Sequence, residues 1–88
     1  MNIIRVGVDI AKSVFPVHGA NRHGHTQWQG KYSRSKWLDA LSRKVPARAE
    51  IGMEACASAH HWARELQRRG YRVRLVAAQL GGNSQSRL

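Results

Sequence analysis

The chain has 88 residues, 15 Lys or Arg against 5 Asp or Glu, a formal net charge of +10 and a mean hydropathy of −0.52. That length suits one small domain with a marginal core and excludes two independent ones. A lone cysteine, Cys56, excludes a disulfide scaffold, and no apolar run approaches the roughly 20 residues that span a bilayer.

The first five residues lack the charged-then-apolar order of a signal peptide, so the expected location is the cytoplasm, with no membrane partner. A sequence pI near 11.4 calls for a polyanionic partner. Nucleic acid is the first candidate, because Lys and Arg replace counterions along phosphates. The alternative is solvated surface charge.

Residues 3–9 read as a strand, with Ile4, Val6, Val8 and Ile10 on one face and Arg5, Gly7 and Asp9 on the other. Residues 14–19 read as a second strand with Phe15 and Val17 sharing a face. Pro16 has no amide to donate, so that strand requires an edge, a bulge or a gap in its ladder. A turn over 21–24 leads to a third strand over 25–32. Ser33 is placed to cap a helix reaching Lys44, with Trp37, Leu38, Leu41 and Val45 at helical spacing and Pro46 beyond its end. Residues 47–54 alternate again, Ala49, Ile51 and Met53 against Glu50, Gly52 and Glu54. A second helix over 55–69 carries Ala55, Ala59, Trp62, Ala63 and Leu66 as its apolar stripe and stops at Gly70. Residues 71–77 form the last strand, with Val73 and Leu75 on one face. The order strand-strand-strand-helix-strand-helix-strand predicts an α/β fold. Its mixed five-stranded sheet has a three-stranded antiparallel meander, and the last two strands run parallel to the first.

Asp9 ends the first strand and Glu54 ends the fourth. If those strands are parallel neighbours, their ends lie about 4.8 Å apart. Two carboxylates there can share a divalent cation through hard oxygen ligands. In a basic chain such a pair suits metal-assisted attack on a phosphodiester. The alternative is a pair of solvent-facing strand ends. Asp39 with Arg43 and Glu65 with Arg69 are spaced as surface helix pairs, and Glu50 is a strand-face charge. The five histidines have no zinc-ligand spacing, and Cys56 is expected as a small buried core residue.

The nucleic-acid-binding candidates are Lys12, which follows Asp9, then His61, Arg64 and Arg68 on one face of the second helix, and Arg72 and Arg74 on the last strand. Small residues 55–58 are expected to open the second helix and let its amides approach a phosphate. Trp37 and Trp62 fit the apolar stripes, while Trp28 is undecided.

Two blocks resemble a known family. Val6-Gly7-Val8-Asp9-Ile10-Ala11-Lys12, followed by Phe15 and Val17-His18, resembles the opening of the DEDD transposases of insertion sequences. This is the IS one-ten group, which includes the Piv-type DNA invertases. Met53-Glu54-Ala55-Cys56, then Ala59-His60-His61-Trp62-Ala63-Arg64 and Leu66, resembles the family's second block, and Val73-Arg74-Leu75-Val76 follows in order. The resemblance covers roughly residues 3–80. It implies a RuvC-like, RNase H-like domain in which Asp9 and Glu54 are the first two of four acidic residues holding divalent metal, Mg2+ by expectation. It also implies DNA as substrate, a structured guide RNA in some members, and other transposase subunits as partners.

The departures are specific. The family's last two aspartates follow the fifth strand, yet none of residues 66–88 is acidic, and the family's serine-bearing C-terminal domain is expected to be missing. Residues 81–88 leave the family pattern and read as a flexible tail after a partial domain over 1–80. The expectation is a truncated or frameshifted copy, or an excised N-terminal fragment, with weak or no metal binding and no activity of its own. The alternative function is a non-catalytic basic nucleic-acid-binding module or an inhibitor of transposition.

Overall fold

A computed structural model describes residues 2–77. The elements are β1 (Arg5–Val8), β2 (Val14–Ala20), β3 (Thr26–Ser33), α1 (Trp37–Lys44), β4 (Glu50–Glu54), α2 (Ala59–Arg68) and β5 (Arg72–Val76). They form a five-stranded mixed sheet in the order β3-β2-β1-β4-β5. β2 runs antiparallel to β1 and β3, and β4 runs parallel to β1 and β5. This is the α/β arrangement expected from the element order. The expected domain end at residue 80 and the tail over 81–88 lie outside the described residues. No helix among the described residues is long and apolar enough to cross a membrane.

Both helices pack on one face of the sheet. That face presents Val6, Val8, Phe15, Val17, Ile51 and Met53, all buried, against Trp37 and Leu41 of α1 and Ala59, Trp62 and Leu66 of α2. Phe15, Trp37 and Trp62 meet edge to face, with ring centroids 5.3–5.7 Å apart. Tyr71 ties the layers together: its buried hydroxyl donates to the carbonyl of Val45 at 2.8 Å, at the end of α1. Burial pushes its phenol pKa up. Gly70 ends α2 at φ +90°, a conformation that costs glycine little.

Several local expectations are corrected. Ile4 is 42% exposed and Ile3 takes the core position, packed where Gly19 has no side chain. β1 is regular only from Arg5, so the alternation does not extend back to residue 4. Ser33 ends β3 and does not cap α1, because its carbonyl accepts the Lys36 amide in a turn and the helix starts at Trp37. α2 starts at Ala59 and not at Ala55. The Ala55 amide donates to the carbonyl of Val76 at 2.8 Å, which holds residue 55 in the β4–β5 ladder. Cys56 therefore lies in the connecting turn and is exposed, not buried. Leu75 is exposed too, because β5 is an edge strand. Trp28 is buried over Gly19.

Candidate phosphodiester site on the open sheet face

Strand parity builds the second face of the sheet row by row. The register pairs Arg5 with Ala20 and Glu50, and Glu50 with Arg72. The next row is His18, Gly7, Gly52 and Arg74. One pair beyond Val8 and Met53 come Asp9 and Glu54, flanked by Pro16 and Val76. Among the described residues nothing covers this face. Two adjacent glycines form its floor, and a Cβ on Gly7 would meet no atom within 4 Å. The result is a trough of about 510 Å³ edged by Arg5, His18, Glu54 and Arg74.

Asp9 and Glu54 line one hollow of about 370 Å³, together with Gly7, Pro16 and His18. Parallel pairing of β1 and β4 brings both carboxylates to the same end of neighbouring strands. Asp9 Oδ1 accepts the Ala11 amide at 3.1 Å, which fixes the carboxylate at the mouth of the β1–β2 turn. Pro16 explains why β1 stops there. The Asp9 amide donates to the Pro16 carbonyl at 3.1 Å, but proline cannot return the second bond of an antiparallel pair. The expected gap in the ladder therefore falls beside Asp9. It frees the backbone carbonyl of Asp9 from pairing with β2.

The expected basic residues divide between surfaces. Arg74 stands on the trough beside Gly52 and Glu54. Lys12 is exposed in the β1–β2 turn at the carboxylate end. Arg72 sits in the row of Glu50, two rows from Glu54. His61, Arg64 and Arg68 are exposed on α2, in the helical layer across the sheet. Arg68 is held at 3.0 Å by Glu65, which also binds Arg69 at 3.1 Å. The Arg69 hydrogen bond, with the nearby positive charges, lowers the Glu65 pKa. Asp39 pairs with Arg43 at 3.0 Å as expected from spacing, and Glu50 pairs with Arg5 at 3.4 Å.

Sequence reasoning passed over His18 and Pro16 as site residues. The signal was present: both share strand parity, and β2 must run beside Asp9 if the first turn is short. Among the described residues no group of three His, Cys, Asp or Glu side chains is arranged to hold a metal ion. The two carboxylates offer the hard oxygen donors that suit Mg2+, which is often bound by one or two carboxylates with substrate phosphates completing its shell.

Known proteins resemble this chain. It is 46% identical over 79 residues to a protein named as a family 20 transposase from Pseudomonas aeruginosa, a match covering 90% of this chain and 23% of that protein. It is 41% identical over 78 residues to a protein named as transposase y4pF/y4sB from Sinorhizobium fredii, covering 89% and 20%. It is 32% identical over 78 residues to the transposase for insertion sequence element IS1328 from Yersinia enterocolitica, covering 89% and 23%. The chain thus spans about a fifth to a quarter of the length of these curated relatives. No protein-family model and no solved structure matches it.

Proposed function

We propose that the chain is the N-terminal portion of an insertion-sequence transposase, with an RNase H-like domain that acts on DNA. One observation carries this reading. The stretch shared with a transposase spans about 90% of the chain, and the sheet register brings the Asp9 and Glu54 carboxylates into one open hollow. The strand order, with β2 antiparallel and β4 and β5 parallel to β1, supports the RNase H-like assignment.

In this reading Asp9 and Glu54 hold a divalent cation, Mg2+ by the chemistry of the donors. When bound, the cation supplies Lewis-acid polarisation of a phosphoryl oxygen. The chain's own residues do the rest of the positioning. Ala11 orients Asp9, Pro16 keeps the strand end open, and Arg74 and Lys12 neutralise phosphates nearby. DNA is the substrate, with a structured guide RNA and further transposase subunits as partners.

A second reading is a basic module without catalysis, which competes with full-length transposase for DNA or for its subunits. It is favoured by the donors of the described residues: two carboxylates line the hollow, and no group of three His, Cys, Asp or Glu side chains is arranged to hold a metal ion. The deciding assay incubates the purified chain with supercoiled plasmid and Mg2+ or Mn2+, alongside Mn2+-induced broadening of its amide signals. We expect broadening centred on residues 9 and 54, DNA binding at low salt, and no nicking. Broadening centred elsewhere, or no DNA binding, would overturn the transposase reading. Nicking that vanishes in Asp9→Ala would overturn the non-catalytic one.

A further inference from the structure

His18 lies on the same open face as the carboxylates, one row away from them. It lines the trough over Gly7 and Gly52 and also the hollow that holds Asp9 and Glu54. Its direct partner across β1 is Gly7, which has no side chain, so nothing on that strand screens the imidazole from the trough. His18 and Arg74 stand at opposite ends of the glycine row, about 14 Å apart across three strand spacings.

The imidazole is also anchored. His18 Nε2 lies 2.7 Å from Thr26 Oγ1. A β-bulge makes this contact. The β2–β3 register shifts between Gly19 and Ala20, so that Gly19 faces Trp28 while Ala20 faces Thr26 and Gln27 is dropped from the ladder. In an unbroken register Ala20 would face Gln27, and Thr26 would fall on the other parity. The bulge turns Thr26 to the open face, diagonal to His18. A threonine hydroxyl donates as well as accepts. In the tautomer in which Thr26 donates to Nε2, the ring proton sits on Nδ1, the nitrogen that the anchor leaves free.

We infer that His18, held by Thr26 across the β2–β3 bulge, is a positioning residue that donates from Nδ1 to a phosphate of a nucleic-acid strand lying along the Gly7–Gly52 trough. This rests on the nucleic-acid reading above and adds the path of the strand and the group that fixes it. Arg74 takes a phosphate at the opposite edge. The strand then passes about 7 Å, one row, from the carboxylate pair, two residues along each strand.

The test uses the 88-residue chain and a fluorescein-labelled DNA oligonucleotide in EDTA, so that binding is read without metal or turnover. Asn and Gln substitutions separate the two ring nitrogens, because the Asn side-chain amide occupies the place of Nδ1 and the Gln amide that of Nε2. His18→Ala and His18→Gln should each weaken binding about three- to tenfold, the range of one lost phosphate hydrogen bond at an exposed site. His18→Asn should retain most of the affinity. Thr26→Val should weaken binding about two- to threefold, and should add nothing in the His18→Gln background. In the unmodified protein, the amides of residues 7, 18 and 52 should shift on titration with the oligonucleotide.

Equal affinities for His18→Gln and the parent chain, or an Asn variant as weak as Ala, would overturn the role of Nδ1. Shifts confined to α2 would overturn the path along the trough. Either result leaves the nucleic-acid reading standing. Failure of the parent chain to bind any oligonucleotide at low salt removes both.

Discussion

Replacing Asp9 by Asn or Glu54 by Gln should scarcely change stability in the absence of metal, yet should remove any stabilisation by Mg2+. Parallel register sets the two strand ends one spacing apart, so the carboxylates are taken to be about 6 Å apart. At that distance their repulsion in water is about 0.7 kcal/mol, and salt screens part of it. The amide variant regains this much. Asp9→Asn also weakens the acceptor for the Ala11 amide, a bond worth about 0.5–1 kcal/mol at an exposed turn. In Asp9→Asn the two effects nearly cancel, and in Glu54→Gln only the screened repulsion is removed, so each single variant should stay within about 0.7 kcal/mol of the parent chain. Mg2+ at its dissociation constant should add about 0.4 kcal/mol to the parent chain, and about 0.95 at fourfold excess. Urea titration followed by fluorescence of the three tryptophans, with and without MgCl2, measures both quantities. A loss above about 2 kcal/mol in Asp9→Asn without metal would assign the residue a structural role. An Mg2+ increment that survives in the double variant would place the cation elsewhere.

Three further outcomes are expected. Gly7→Ala has open space for its Cβ; it should raise stability by about 0.4–1 kcal/mol through the unfolded chain and weaken oligonucleotide binding by narrowing the trough, which paired urea and anisotropy titrations would check. Tyr71→Phe should lose about 1–2 kcal/mol, because the Val45 carbonyl is left without its buried donor. Burial raises the Tyr71 pKa, so its contribution is complete below the unfolded value near 10 and is lost as pH rises through the folded value. Alkaline stability curves of Tyr71→Phe should therefore be flatter above pH 10 than those of the parent. DNA affinity should fall with added salt, and Arg74→Gln should reduce the slope of log K against log salt by about one. An unchanged slope would remove Arg74 from the phosphate path.

The sequence by itself determined the element order, the strand directions and most of the core. Alternation at Val6 and Val8, Phe15 and Val17, and Ile51 and Met53 chose which face each strand buries, because a pleated strand repeats every two residues. Helical spacing of Trp37 with Leu41 and of Trp62 with Leu66 set the covering layer in the same way. Asp9 and Glu54 were legible as a pair because crossover connections make β1 and β4 parallel, and parallel strands align their ends. Tertiary structure decided what depends on register and on bonds between distant residues. The Val76 carbonyl held Ala55 in the ladder, delayed α2 to Ala59 and exposed Cys56. The bulge after Gly19 turned Thr26 toward His18. The strand order placed Arg74 on the trough and left His61, Arg64 and Arg68 behind the sheet. Side-chain periodicity is written in neighbouring residues and can be read locally. A register or a bulge is fixed only when two distant strands have paired, so no local stretch of sequence contains it.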